Sequence, residues 1–206
     1  MEKHEVKQGG CIDSIAWQFG HFPQTLWEHS ANESLRKLRK DGNVLYPGDV
    51  LIIPELRLRP VTCETERRHR FRRRGVPAKL YARLMVEDEV LVGEEYEAEI
   101  DGKRHAGKTD GEGRIALDIH PQARGGWIRI HGREFRVQLG VLDPLDTVSG
   151  QQARLKQLGF YGGPANDKPS DELTEAIRAF QRHHKLTESG EADEETMGRL
   201  RSHYGV

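Results

Sequence analysis

The sequence predicts a multidomain α+β chain with three parts. Residues 1–54 form a strand–helix–helix–strand (βααβ) module, residues 55–142 a basic linker and an antiparallel β-sandwich, and residues 143–206 a three-helix bundle. Three observations carry this. Apolar residues alternate strictly from Lys79 onward and then recur three or four positions apart after Ser149, the periods of half-buried strands and of one-sided helices. Glycine turns separate the alternating runs. The composition is lean, with 35% hydrophobic and 32% charged residues in 206, as small modules with a high surface-to-volume ratio produce. The formal net charge of -1 gives no global case for a nucleic-acid partner.

The first module opens with a short strand at His4-Glu5-Val6-Lys7 and a turn at Gly9-Gly10. Asp13 is the expected N-cap of a helix through Ser14-Ile15-Ala16-Trp17-Gln18-Phe19, which Gly20 stops. Pro23 favours the start of a second helix, anchored by Leu26 and Trp27. Tyr46-Pro47-Gly48-Asp49 reads as a turn and Val50-Leu51-Ile52-Ile53-Pro54 as the closing strand. Between them runs a long basic link, Ser34 to Asn43, where Leu35 and Leu38 predict an added helical turn. Such a turn either covers a neighbouring groove or forms a protein contact. Trp17 and Trp27 read as core or rim packing.

Val6, Gly9, Ile12 to Ala16, Gly20, Leu26, Trp27, Asn32, Tyr46 to Gly48, Leu51, Ile53 and Pro54 together resemble the LysM domain. That resemblance implies a βααβ fold that binds N-acetylglucosamine-containing glycans such as peptidoglycan and chitin. It implies a groove with one wall at Gly9, Gly10, Cys11 and Ile12 and the other at Leu45, Tyr46, Pro47 and Gly48. The Asp-Thr usual after the first turn is replaced here by Gly10-Cys11.

The linker carries Arg67, Arg68, Arg70, Arg72, Arg73 and Arg74 around Phe71. This short patch reads as a solvated strand edge or a contact for an acidic protein rather than a nucleic-acid site. Strands are expected at Leu80 to Val86, Tyr96 to Ile100, Ile115 to Ile119, Ile128 to Ile130 and Phe135 to Leu139. Asp101-Gly102, Asp110-Gly111 and His131-Gly132 are expected as the turns between them. Several short strands at close intervals suggest a small sandwich. The segment Gly107 to Ile115 resembles the strand–turn–strand of transthyretin-like and carboxypeptidase-regulatory sandwiches, which implies a fold and no activity.

In the last module, Ser149 to Tyr161 precedes a polar loop, then Leu173, Ala176, Ile177 and Phe180, then Met197, Leu200 and Tyr204. Helices this short, each with one apolar stripe, need one another for stability. Gln152-Ala153-Arg154-Leu155-Lys156-Gln157-Leu158-Gly159-Phe160-Tyr161, Ala176 to Gln181, His184 to Leu186 and Ser189 to Asp193 resemble the peptidoglycan-binding domain of bacterial cell-wall hydrolases. That resemblance implies wall binding on behalf of a catalytic neighbour. The Asp-Gly turn and Gly-Pro usual before the second helix are replaced by Gly163 to Ser170.

The sequence indicates no catalytic, metal or cofactor site. The ten histidines are scattered, without a His-Glu-x-x-His pattern, and adjacent His183 and His184 are expected on different sides of a helix. His105, His120 and His131 share no ligand spacing. Cys11 and Cys63 read as free thiols without a nucleophile motif, and a bond between them stays open.

Across Leu35 to Val50, Phe71 to Ala78 and Leu139 to Gly150, the chain also resembles a family found among bacterial contractile-injection genes, including type VI secretion. This implies a context in which peptidoglycan, or a spike, baseplate or toxin protein, is the partner. No apolar leader follows Met1 and no stretch approaches the ~20 apolar residues of a membrane helix. Synthesis in the cytoplasm is therefore expected, with delivery to the periplasm or wall by such a machine or by lysis.

Overall fold

The computed structural model describes residues 1–57, 60, 62–70, 78–86 and 89–204. It contains three apolar cores, one for each part of the chain.

In the first part, β1 (Glu2–Glu5) pairs antiparallel with β2 (Val50–Ile53). Between them lie α1 (Ile12–Phe19), α2 (Pro23–Trp27), a 3-10 turn at Ser30–Asn32 and α3 (Glu33–Arg39). Val6, Ile12, Ile15, Leu26, Leu35, Leu45, Leu51 and Ile53 close the core. Pro23 stands in the first turn of α2, and Gly20 ends α1 in the left-handed region at φ 75°. Cys11, not Asp13, is the N-cap of α1: its N–H donates to the Ser14 hydroxyl over 3.0 Å. Asp13 lies in the first turn instead. The helical insertion of the basic link exists as α3, with Leu35 buried and Leu38 exposed. Buried Asn32 fastens the 3-10 turn to β2. Its Nδ2 donates to the Leu26 and Ile52 carbonyls, each over 2.9 Å, and its Oδ1 accepts from the Ile52 N–H over 2.7 Å.

The middle part contains β3 (Ala78–Arg83), β4 (Met85–Val86), β5 (Glu89–Val90), β6 (Glu95–Ile100), β7 (Lys103–Lys108), β8 (Arg114–Ile119), β9 (Gly125–Ile130) and β10 (Arg133–Gln138). An antiparallel sheet of order β10-β9-β6-β7 and the pair β3-β8 contribute to one core. Tyr96, Ala98 and Ile100 alternate inward against outward glutamates on β6, and Ile115 and Leu117 alternate inward against Arg114, Ala116 and Asp118 on β8. Strand β4 pairs with β5, and with no other strand among the described residues. The hairpins at Asp101-Gly102 and His131-Gly132 have positive φ at both turn residues, as a two-residue turn matched to strand twist requires. Asp110-Gly111 is not a hairpin turn, because β7 and β8 belong to different sheets. Asp110 accepts the N–H groups of Glu112 and Arg114, each over 2.8 Å, and shapes the crossing loop.

The last part consists of α4 (Val148–Gln157), α5 (Asp171–His183) and α6 (Glu194–Tyr204). Each start is capped by an oxygen that accepts a backbone N–H: Thr147 from Gly150 over 3.0 Å, Ser170 from Leu173 over 3.2 Å, and Asp193 from Thr196 over 2.8 Å. Leu155, Tyr161, Leu173, Ile177, Phe180 and Leu200 meet in the core. Each fully buried side chain of this size contributes about 1.5–3 kcal/mol. His183 and His184 do not diverge as expected: their ring centroids lie 4.8 Å apart. Phe180 meets the His184 ring at a tilt and His203 meets it edge-on.

Asp143 to Thr147 joins this last core rather than hanging between parts. Leu145 is buried in it, and the Thr147 hydroxyl donates to the Pro144 carbonyl over 2.7 Å. Arg154 donates from Nη1 to the Asp143 and Gly150 carbonyls over 2.8 and 3.0 Å. Gly150 lets this happen, since a Cβ there would overlap the Pro144 carbonyl.

Candidate functional site

Two buried glutamines shape the loops of the three-helix part. Gln152 on α4 donates to the Lys168 carbonyl over 2.8 Å and accepts from the Asn166 and Asp167 N–H groups over 3.0 and 3.2 Å. It therefore holds the loop where the sequence departs from its resembled family. Gln181 on α5 accepts from the Gly190 N–H over 2.9 Å and donates to Ser189 Oγ, the Glu191 carbonyl and Thr196 Oγ1 over 2.9, 3.0 and 2.9 Å. Both side chains are fully buried, so each replaces the water that its loop backbone would otherwise need. Arg154 is almost fully enclosed under the Tyr204 ring, and burial lowers its pKa.

Both glutamines and the loops they hold sit within one stretch that has a known counterpart. Residues 146–200 match the family model of a peptidoglycan binding domain. The match spans about a quarter of the chain and takes in all of α4 and α5 with both glutamine-pinned loops. It supports peptidoglycan binding and association with the cell wall. No curated protein matches the chain, and no solved structure does.

The loops proposed from sequence for the first part stand in a different setting. Ile12 and Leu45 are core residues, so neither side chain faces a groove. Gly9, Gly10 and Cys11 on one side, and Tyr46 and Pro47 on the other, are partly exposed, and Gly48 is exposed. The link after α3 lies against the first loop, with the Ile12 N–H donating to the Gly42 carbonyl over 2.8 Å. Trp27 packs on the core, and Trp17 meets the His120 ring edge-on at 5.0 Å.

Arg39 organises the second loop. Its guanidinium is bidentate to Asp49, at 2.8 and 3.0 Å, and lies 5.5 Å from the Tyr46 ring centroid. Asp49 raises the Arg39 pKa by hydrogen bonding, against the opposing effect of burial. The same guanidinium reaches Asp146 at 3.1 Å, just ahead of α4. The Asp167 carboxylate raises the Tyr46 phenol, with burial and Asp143 adding to it and Arg39 opposing. Sequence reasoning missed this contact between the first and last parts, which joins residues over a hundred positions apart.

Arg67, Arg68 and Arg70 are exposed, and Arg67 pairs with Glu64 at 2.9 Å. Arg72, Arg73 and Arg74 lie outside the described residues. Cys11 and Cys63 are free thiols, the first partly exposed and the second exposed. Among the described residues, no group of His, Cys, Asp and Glu has the arrangement of a metal site. No helix among them is long and apolar enough to cross a membrane.

Proposed function

We propose that this chain is a non-catalytic peptidoglycan-binding accessory protein of a bacterial contractile injection system. The observation that carries the reading is the family match over residues 146–200. The first part acts as a LysM-like module in it, a reading supported by paired terminal strands that enclose helices. The middle part serves as a small β-sandwich spacer, supported by one core fed from two antiparallel sheets. The contractile-injection context rests on sequence resemblance and supplies the route to the wall. Co-sedimentation of the full chain with washed sacculi tests the reading. Saturable retention is expected, and equal retention on an unrelated resin refutes it. Zymography against peptidoglycan tests the non-catalytic part, and a cleared band refutes it.

A structural adaptor for a spike, baseplate or toxin protein is the second reading. It is favoured by the burial of Ile12 and Leu45 and by the exposed Arg67, Arg68 and Arg70. Native co-purification would then yield a stoichiometric protein partner, with sacculi left unbound.

A further inference from the structure

We propose that the glycan loops of the first part are held shut by a seam with the rest of the chain, and that they accept an N-acetylglucosamine oligomer only when the seam opens. This rests on reading Gly9 to Cys11 and Tyr46 to Gly48 as glycan loops. Both loops are engaged from outside their own module. Arg124, which precedes β9, donates from Nη1 to the Gly9 carbonyl over 3.3 Å. Gly140, at φ 74°, lies so close that a Cβ on it would stand 2.8 Å from the Gly9 Cα. Gly140 is held there by its neighbour, since the Leu139 N–H donates to the Arg124 carbonyl over 2.9 Å. On the second loop, Arg39 ties Asp49 to Asp146 and carries Tyr46 beneath it. Two backbones packed this closely at Gly9 leave no room for a sugar ring between them.

The seam is also built to open. The Arg124 bond is long and exposed, and the Asp146 side chain is about half exposed, so water competes for both. The Arg39–Asp49 pair is enclosed, with side chains 10% and 7% exposed, and stays with the first module when Asp146 lets go. Opening therefore costs these contacts and the edge-on Trp17–His120 contact, and leaves the folds intact. A site available only in a minor open population has its apparent affinity lowered by that population.

The test uses the full chain and the double variant Arg124→Ala/Asp146→Asn. Neither position is in the first module, and Arg124 keeps its backbone bonds to Asp101 when its side chain is cut. Amide hydrogen exchange is read at Gly9, Gly10, Cys11, Tyr46, Gly48 and Asp49. Binding of soluble chitin hexaose is read by titration. Exchange about tenfold faster, with hexaose bound about tenfold more tightly, is the expected result. Core amides of Ile15, Leu117 and Phe180 should exchange as in the parent, and Asp146→Asn alone serves if the double variant does not fold. Unchanged exchange at both loops overturns the seam while leaving sacculus binding through the last module untouched. Faster exchange without hexaose binding in either protein overturns the gating by refuting the glycan reading of the loops.

Discussion

Gln181→Leu removes a polar side chain of similar size from the centre of the helical module. Its amide has four partners, and the Gly190 N–H bond is buried. Leucine fits the volume, so the cost is the unmet hydrogen bonds rather than a cavity. A buried polar group left without a partner costs about 1–3 kcal/mol. Ser189 and Glu191 are exposed and recover water, which leaves Gly190 N–H and Thr196 Oγ1 as the main losses. Two such groups set about 2–6 kcal/mol, and burial of the leucine side chain offsets part of it, leaving about 2–3 kcal/mol. In a module of this size each kcal/mol moves the midpoint by about 4–8 °C, so its calorimetric transition should fall by roughly 8–24 °C. Gln181→Glu separates shape from charge. It keeps an acceptor for Gly190 but buries a carboxylate, whose pKa is raised by desolvation. The destabilisation is then greatest above the folded pKa and declines as pH falls toward the unfolded value near 4. A Gln181→Leu midpoint within about 2 °C of the parent would refute the claim that this amide pins the loop.

Four further outcomes follow from the same structure. Phe180→Ala empties a fully buried site that meets Phe160 edge-to-face and should cost about 3–5 kcal/mol by denaturant titration, with loss of sacculus binding. Gly150→Ala sets two effects against each other: helix propensity favours alanine by about 1 kcal/mol, but overlap with the Pro144 carbonyl should win and lower the midpoint. The Asp13 carboxyl is raised by burial and then by Asp41, so its ionised form strains the fold above its folded pKa. Asp13→Asn should therefore raise the melting point at pH 7, and the gain should vanish near pH ~3, below the unfolded carboxylate range. Asp193 is lowered by the Thr196 N–H bond, so its contribution is present above the unfolded pKa and lost as pH falls through the folded value. Asp193→Asn should flatten the acid limb of the melting curve for the helical module, as read by calorimetry between pH 5 and 2 (roughly the carboxylate window).

The apolar pattern made most of the elements legible. Tyr96, Ala98 and Ile100 give β6, and Leu173, Ala176, Ile177 and Phe180 give α5, because burial on one face imposes those periods. Strand β7 was not legible, since Lys103 to Lys108 contains no apolar alternation. Its pairing comes from the Asp101-Gly102 turn, which delivers it to β6. Gln152 and Gln181 were hidden for another reason: hydrophobicity cannot show a polar residue in a core. The available signal was position, for Gln152 stands one turn before Leu155 and Gln181 one turn after Ile177 on the buried face. In the first module Ile12 and Leu45, which the sequence places in the walls of a sugar groove, supply core side chains. The seam depends on which modules come to rest together, and no local pattern encodes that.

The joint also changes what linking two binding modules can achieve. Flexible linkage raises the effective concentration for a second contact when its reach matches the spacing of the sites. Here Gly140 lies on Gly9, and Asp143 to Thr147 is bound into the helical core only three residues later. Chain that short and pinned at both ends is no loose tether between the middle and last parts. While the seam is closed, the helical module binds alone, and affinity should be that of one module. If the seam opens on a glycan strand, the second contact becomes available within reach of the first. Wall binding by the full chain should then be biphasic in time, with a slow phase that Arg124→Ala/Asp146→Asn shortens. A single phase with the same rate in both proteins would mean that the first module never reaches the wall, and that its fold serves to hold the other two.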